Sequence, residues 1–336
     1  MEANVNKARR IARVALILGA VATAVIASAA CADETTESGG PPSIGPVAND
    51  PDIEMPVDAT PSPDGKDVYF IANSKVPDED GIGAFRQAAI YRVSAAGGAI
   101  TKLFQGEPLV APFGIAISND GQTLYIADSG AVTSEERSDG RVYSMGVGGG
   151  APTPLSGTDG LAPGGVEVMG DALFITGKRD GKPGLYKTGF AGGAVTAVAA
   201  GDMFVDPSGV AIARSGEAYV VDSGSAVHGA AMASVVKVFP DGRTEIVMDG
   251  LSVGHPAGIA LSNDDKTIYV SGFDPAQGTD VVFTIDAASR AVGRFTDGIS
   301  EFSESAGLHR ARNADVFAWA DSHANGTGTV YVLRGQ

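Results

Sequence analysis

The stretch PFGIAISNDGQTLYIADSG, Pro112–Gly130, sets two short apolar runs on either side of an Asn-Asp-Gly turn. Each run has the length of one strand, and the turn between them carries the residues that close tight hairpins. The same pattern returns as PSGVAIARSGEAYVVDSG, Pro207–Gly224, and as PAGIALSNDDKTIYVSG, Pro256–Gly272. A shorter copy is PGGVEVMGDALFITG, Pro163–Gly177. Two degenerate copies complete the set. One runs from Pro56 through Pro63-Asp64-Gly65 to Ile71, the other from Ser305-Ala306-Gly307-Leu308 to Ser322. The six starts, at 56, 112, 163, 207, 256 and 305, lie 44 to 56 residues apart.

Each unit reads as four strands. After the hairpin come a variable loop, a third strand such as Arg141–Met145, a glycine-rich turn and a fourth strand. The third-to-fourth turns are Gly97-Gly98, Gly148-Gly149-Gly150, Gly192-Gly193 and Asp241-Gly242, where glycine supplies the positive φ that such turns demand. Helical periodicity is absent after residue 30. Six four-stranded units at this period predict an all-β, six-bladed β-propeller over residues 56–336. A solenoid is the alternative, but it leaves its sheet edges open. The last copy ends soon after its third strand, Thr329–Leu333, so the segment just before Pro56 is placed to supply the missing fourth strand.

Composition narrows the function classes. The 336 residues carry 24 Lys and Arg against 40 Asp and Glu, a net charge of -16 that repels phosphate backbones, so nucleic acid is not an expected partner. One cysteine excludes intramolecular disulfides and Cys-rich metal folds. The 46 glycines fit a turn-rich propeller.

The N-terminus has its own logic. Lys7, Arg9, Arg10 and Arg13 precede an apolar run from Val14 to Ala30, which reads as a signal peptide over residues 1–30. Cys31 follows Ile26-Ala27-Ser28-Ala29-Ala30, an arrangement that resembles a bacterial lipoprotein signal, and the resemblance implies lipidation of Cys31. Ordinary cleavage after Ala29 or Ala32 is the alternative. Residues 31–55, polar and rich in Gly and Pro, read as a flexible linker. The expectation is an exported protein, lipid-anchored at the cell envelope or else periplasmic or secreted, touching the membrane only through its lipid. Without residues 1–30 the chain carries 20 positive and 39 negative side chains, net -19.

The Pro-x-Gly-[Ile/Val]-Ala…Tyr-[Ile/Val]-[Ala/Val]-Asp-Ser units resemble NHL-repeat propellers and the wider group of senescence-marker and gluconolactonase enzymes. In the lactonase branch, the residue between Pro and Gly in certain blades is an Asn or Asp that binds a divalent metal. Here those positions hold Val57, Phe113, Gly164, Ser208, Ala257 and Ala306, which are poor ligands.

Propeller topology puts the Pro-x-Gly entries and the loops after the second strands on one face. Those loops are 73–88, 128–140, 178–184, 222–233, 273–279 and 321–328. Variable loops on a rigid scaffold are where binding specificity is expected, here for a small molecule, glycan or protein. All four histidines, His228, His255, His309 and His323, fall in or near this face, with Asp206 on the same rim. Imidazoles among carboxylates are candidate ligands for a divalent metal. The amidating lyases are NHL-like propellers with a three-histidine zinc site, although their metal-binding patterns are not matched here. Phe113, Asp128, Asp222 and Asp321 are candidate ligand-binding residues. The three aspartates recur with the repeat before Ser, a pattern that also suits capping of the loop turn. Glu167 and His309 take the same strand position in blades 3 and 6, which face each other across the axis, and are the candidate catalytic pair. A metal-dependent hydrolase or lyase at the channel is therefore the second reading beside a binding propeller.

Overall fold

Alternation of side chains along the strands distributes the core. In the computed structural model, which describes residues 43–78, 84–134, 137–225, 232–295, 299 and 304–334, Leu124 and Ile126 point into the seam between blades 1 and 2. Tyr125 and Ala127, from the same strand, point into the seam between blades 2 and 3. This period of two lets one buried strand serve two interfaces. Six apolar clusters result, one at each blade-to-blade seam.

The blades are six four-stranded antiparallel sheets. Their innermost strands are Ile53–Pro61, Pro112–Ile117, Pro163–Met169, Pro207–Ile212, Ile259–Leu261 and Ser305–Arg310. Each contacts the next, and the last contacts the first, so the ring is closed. The propeller expected from the repeat is therefore the observed fold.

Closure comes from the predicted kind of latch. Blade 6 consists of Ser305–Arg310, Val316–Asp321, Thr329–Arg334 and, outermost, Ser43–Ala48 from the start of the described chain. Ser43 pairs with Arg334 and Ala48 with Val330. Asn49 adds a side-chain bond of 2.7 Å to the carbonyl of Gly328. The linker boundary needs correction on this point. Ser43–Ala48 and the residues from Ile53 onward belong to the sheets, because the open edge of Thr329–Arg334 pairs with Ser43–Ala48 and Ile53 opens the first blade.

The Pro-x-Gly glycines have a role that turn chemistry does not describe. A Cβ at Gly114 would sit 2.8 Å from the Cα of Gly165, and one at Gly258 would strike the backbone of Leu308. Innermost strands of neighbouring blades converge here, and only a residue without a side chain fits. The first blade departs from this rule, since Asp58 stands where the others have glycine.

Two expected loops are also shorter than the repeat suggested. Blade 1 continues as strands Asp67–Pro77 and Ala84–Ser94, and blade 3 as Ala172–Arg179 and Lys182–Gly189 across a tight Asp180-Gly181 turn. Both turn residues have positive φ, of 50° and 77°, which matches the right-handed twist of the flanking strands.

Candidate functional site

Two places on the propeller concentrate chemistry: the axis, and a cavity in the loop-rich face. At the axis, His309 projects from the innermost strand of blade 6. Its Nδ1 lies 3.2 Å from Glu167 Oε2 of blade 3, and its Nε2 lies 3.1 Å from Asp58 Oδ2 of blade 1. The sequence brought His309 and Glu167 to the axis, and the structure joins them. Asp58 was missed. Its signal was the break in Pro-x-Gly at Pro56-Val57-Asp58, where a carboxylate replaces the glycine of the other copies.

Asp58 is held by more than the histidine. Its Oδ2 accepts the amide of Ile115 at 2.8 Å and its Oδ1 the amide of Ala59 at 2.9 Å. The carboxylate thus fills the seam between blades 1 and 2 and reaches across to blade 6. Glu167 Oε1 accepts the amide of Val168 at 2.7 Å.

Burial alone would depress the pKa of His309. The charges and hydrogen bonds of Asp58, then of Glu167, overcome it and push the imidazole up to about 10. The ring is therefore an imidazolium at neutral pH, donating both N–H groups to carboxylates. Neither nitrogen offers the free lone pair that a general base needs. Glu167 and His309, the expected pair, are thus joined with Asp58 in a carboxylate–imidazolium–carboxylate bridge across the channel.

On the loop-rich face, a cavity of about 170 Å³ opens between the entries of blades 2 to 5. Phe113, Pro163, Pro207 and Pro256 supply apolar wall, and Lys178, Asp206 and His255 supply polar rim. The rings of Phe113 and His255 meet edge to face, with centroids 5.6 Å apart and planes at 67°. His255 Nδ1 stands 3.8 Å from Asp206 Oδ2, and both side chains are more than half exposed. Phe113, predicted to bind ligand, lines this cavity.

The three loop aspartates do something else. Asp128 accepts the amides of Val110 (2.8 Å), Ala111 (2.9 Å) and Gly130 (3.0 Å). Asp222 accepts those of Val205, Asp206 and Gly224 in the same way. Asp321 accepts those of Glu304, His323 and Ala324. All three are fully buried. Burial raises the carboxyls of Asp128 and Asp222, and the surrounding amides oppose that rise. The ligand-contact role expected of these aspartates gives way to fixing loop shape: both carboxylate oxygens of Asp128 and Asp222, and Oδ1 of Asp321, accept backbone amides.

The three described histidines stand apart from one another, each with its own carboxylate partner. His255 faces Asp206, His309 bridges Asp58 and Glu167, and His323 Nδ1 stands 3.1 Å from Glu304. His228 lies outside the described residues, as does Cys31. Among the described residues no group of three His, Cys, Asp or Glu side chains is placed to hold a metal ion.

No protein-family model matches the sequence, and no curated protein matches it either. Solved structures do match in fold. A protein described as TolB from Agrobacterium tumefaciens is 18% identical, with 84% of this chain and 91% of that chain covered at a TM-score of 0.55. A chain of the nidogen/laminin complex is 20% identical, covering 72% and 80% at 0.54. A gluconolactonase from Xanthomonas campestris is 14% identical, covering 88% and 94% at 0.52. At these identities the similarity establishes a shared propeller architecture. The activities of the three differ, and fold alone transfers none of them.

Proposed function

We propose that this chain is a binding propeller whose loop-rich face takes a small molecule, or a side chain of a partner, that presents one ring. The observation that carries this reading is the cavity that Phe113 and His255 line together. An apolar cavity of about 150 Å³ is enough for a benzene-sized ring, and this one measures about 170 Å³. The exposed edge of Phe113 and the surrounding prolines suit stacking, while Lys178, Asp206 and His255 suit a polar substituent at the rim.

Saturation-transfer NMR of the full chain with 4-methylphenol, and with glucose as a non-aromatic ring, tests the reading. The phenol is expected to bind and Phe113→Ala to weaken it roughly tenfold, since stacking and ring burial are lost together. Binding of neither probe, or binding unchanged in Phe113→Ala, would remove the cavity from consideration.

Export and lipid attachment at Cys31 belong to the same proposal. The basic head, the apolar run and the placement of the only cysteine support them. Cys31→Ser is expected to move the protein from the membrane fraction to the soluble fraction of cells. Unchanged fractionation would rule out the anchor.

A further inference from the structure

The opposite mouth of the channel, on the face of the first hairpins, has a different chemistry. Arg214 comes from the hairpin of blade 4, and Arg310 and Arg312 from the end of the first strand and the hairpin of blade 6. The three surround a cavity of about 100 Å³ floored by Met169, Ile212 and Leu261, with Glu167 and Asp265 also in its wall. We propose that this mouth binds a small oxyanion, a phosphate, sulfate or carboxylate group, between Arg214, Arg310 and Arg312.

The arrangement of the cations is the first argument. A chain of net charge -16 has brought three of its guanidinium groups to one small cavity. Arg214 Nη2 and Arg310 Nη1 both point at the side-chain oxygen of Asn263, at 2.7 and 3.5 Å. Two positive groups therefore share one neutral acceptor. Like charges held this close repel, and an anion between them removes the repulsion. Burial and the nearby Arg214 work to lower the pKa of Arg310, while Asp315 and Glu167 oppose them.

The second argument is anchoring. Arg310 donates to the carbonyls of Leu261 and Ala311, each at 2.6 Å, and Arg312 donates to the carbonyl of Val168. Carbonyl anchors fix a planar guanidinium without neutralising it, which pre-organises it for an oxyanion. The nearby carboxylates are already engaged. Glu167 serves His309 and the amide of Val168, with Arg312 Nη2 at 4.0 Å, and Asp265 accepts the amide of Arg214 at 2.9 Å. Among the described residues, neither Arg214 nor Arg310 forms a side-chain ion pair.

Size sets the ligand class. A cavity of about 100 Å³ holds the equivalent of roughly three waters at liquid density. That space admits one tetrahedral or planar anionic group and leaves any larger remainder outside.

Isothermal titration and thermal melts of the full chain decide the matter, with sodium phosphate, phenyl phosphate and sodium acetate compared against sodium chloride at equal ionic strength. Phosphate also stabilises proteins by exclusion, but that effect does not saturate. The expected result is saturable binding of at least one of the three anions, with an affinity reduced at least tenfold in Arg214→Gln and in Arg312→Gln. Binding of phenyl phosphate assigns the site to the end of a larger molecule, binding of inorganic phosphate alone assigns it to the free ion, and binding of acetate assigns it to carboxylates. Arg310 is left intact because its carbonyl bonds hold the hairpin. No saturable binding of any of the three, or binding unchanged in both variants, overturns the proposal.

Discussion

His309→Leu is expected to lower the midpoint of thermal unfolding by on the order of 10 °C, corresponding to about 3–5 kcal/mol for breaking a buried ion network from one side. The leucine removes both N–H donors and leaves Asp58, only 3% exposed, facing an apolar group. Ile115 and Ala59 still donate to that carboxylate, but its charge is no longer balanced. The triple variant Asp58→Gly, Glu167→Ala, His309→Ala installs the residues that blades 2, 4 and 5 carry at these positions. It is expected to be more stable than His309→Leu, because no unpaired charge remains. Circular dichroism melts of the three proteins are sufficient. A His309→Leu protein as stable as the parent would contradict the role given to the bridge.

The same bridge predicts a pH dependence with a definite sign. The imidazole is held up to about 10 in the fold and returns to about 6.5 when the chain unfolds. The folded state therefore binds the extra proton. Its contribution to stability is complete below about pH 6.5 and is lost as the pH climbs toward 10, at about 1.4 kcal/mol per pH unit. Denaturant midpoints of the parent should fall across this window relative to those of His309→Leu. Parallel curves would refute the assignment of charge to His309.

The second large effect concerns the latch. A chain that begins at Asn49 lacks Ser43–Ala48 and leaves Thr329–Arg334 as an open edge. It also strips Ala48 and Val47 from the apolar seam between blades 6 and 1. The loss is expected to consume most of a typical domain stability of about 5–15 kcal/mol, and the exposed edge invites aggregation. A chain that begins at Ser43 should instead melt with the full chain. Size-exclusion profiles and melts of the two truncations test this, and a monodisperse, fully stable shorter chain would show that the latch is dispensable.

Much of the architecture was legible because a repeat states the same information several times. Gly-Ile-Ala-Ile and Leu-Tyr-Ile-Ala alternate in the same way in copy after copy, and each copy reports on the next. What lay outside the repeat was harder to read. Ser43–Ala48 contains Gly45 and Pro46 and pairs with residues at the far end of the chain, so no local pattern marks it as a strand. Asp58 sits in a degenerate copy, at the glycine position and not at the position between Pro and Gly where ligands were sought. The recurrent Asp-Ser pairs carried two readings, and burial decided for capping. The arginine mouth was invisible in sequence, because Arg214 and Arg312 come from hairpins about a hundred residues apart that only the ring brings together.

The His309 bridge also gives the axis a property that an open ring does not have. It stands between the two mouths of the channel, one lined by prolines and aromatic rings and the other by guanidinium groups. A charge network of three side chains from blades 1, 3 and 6 therefore spans the axis. Glu167 belongs to both the bridge and the arginine cavity, so a change of charge at that mouth is felt at the centre of the ring.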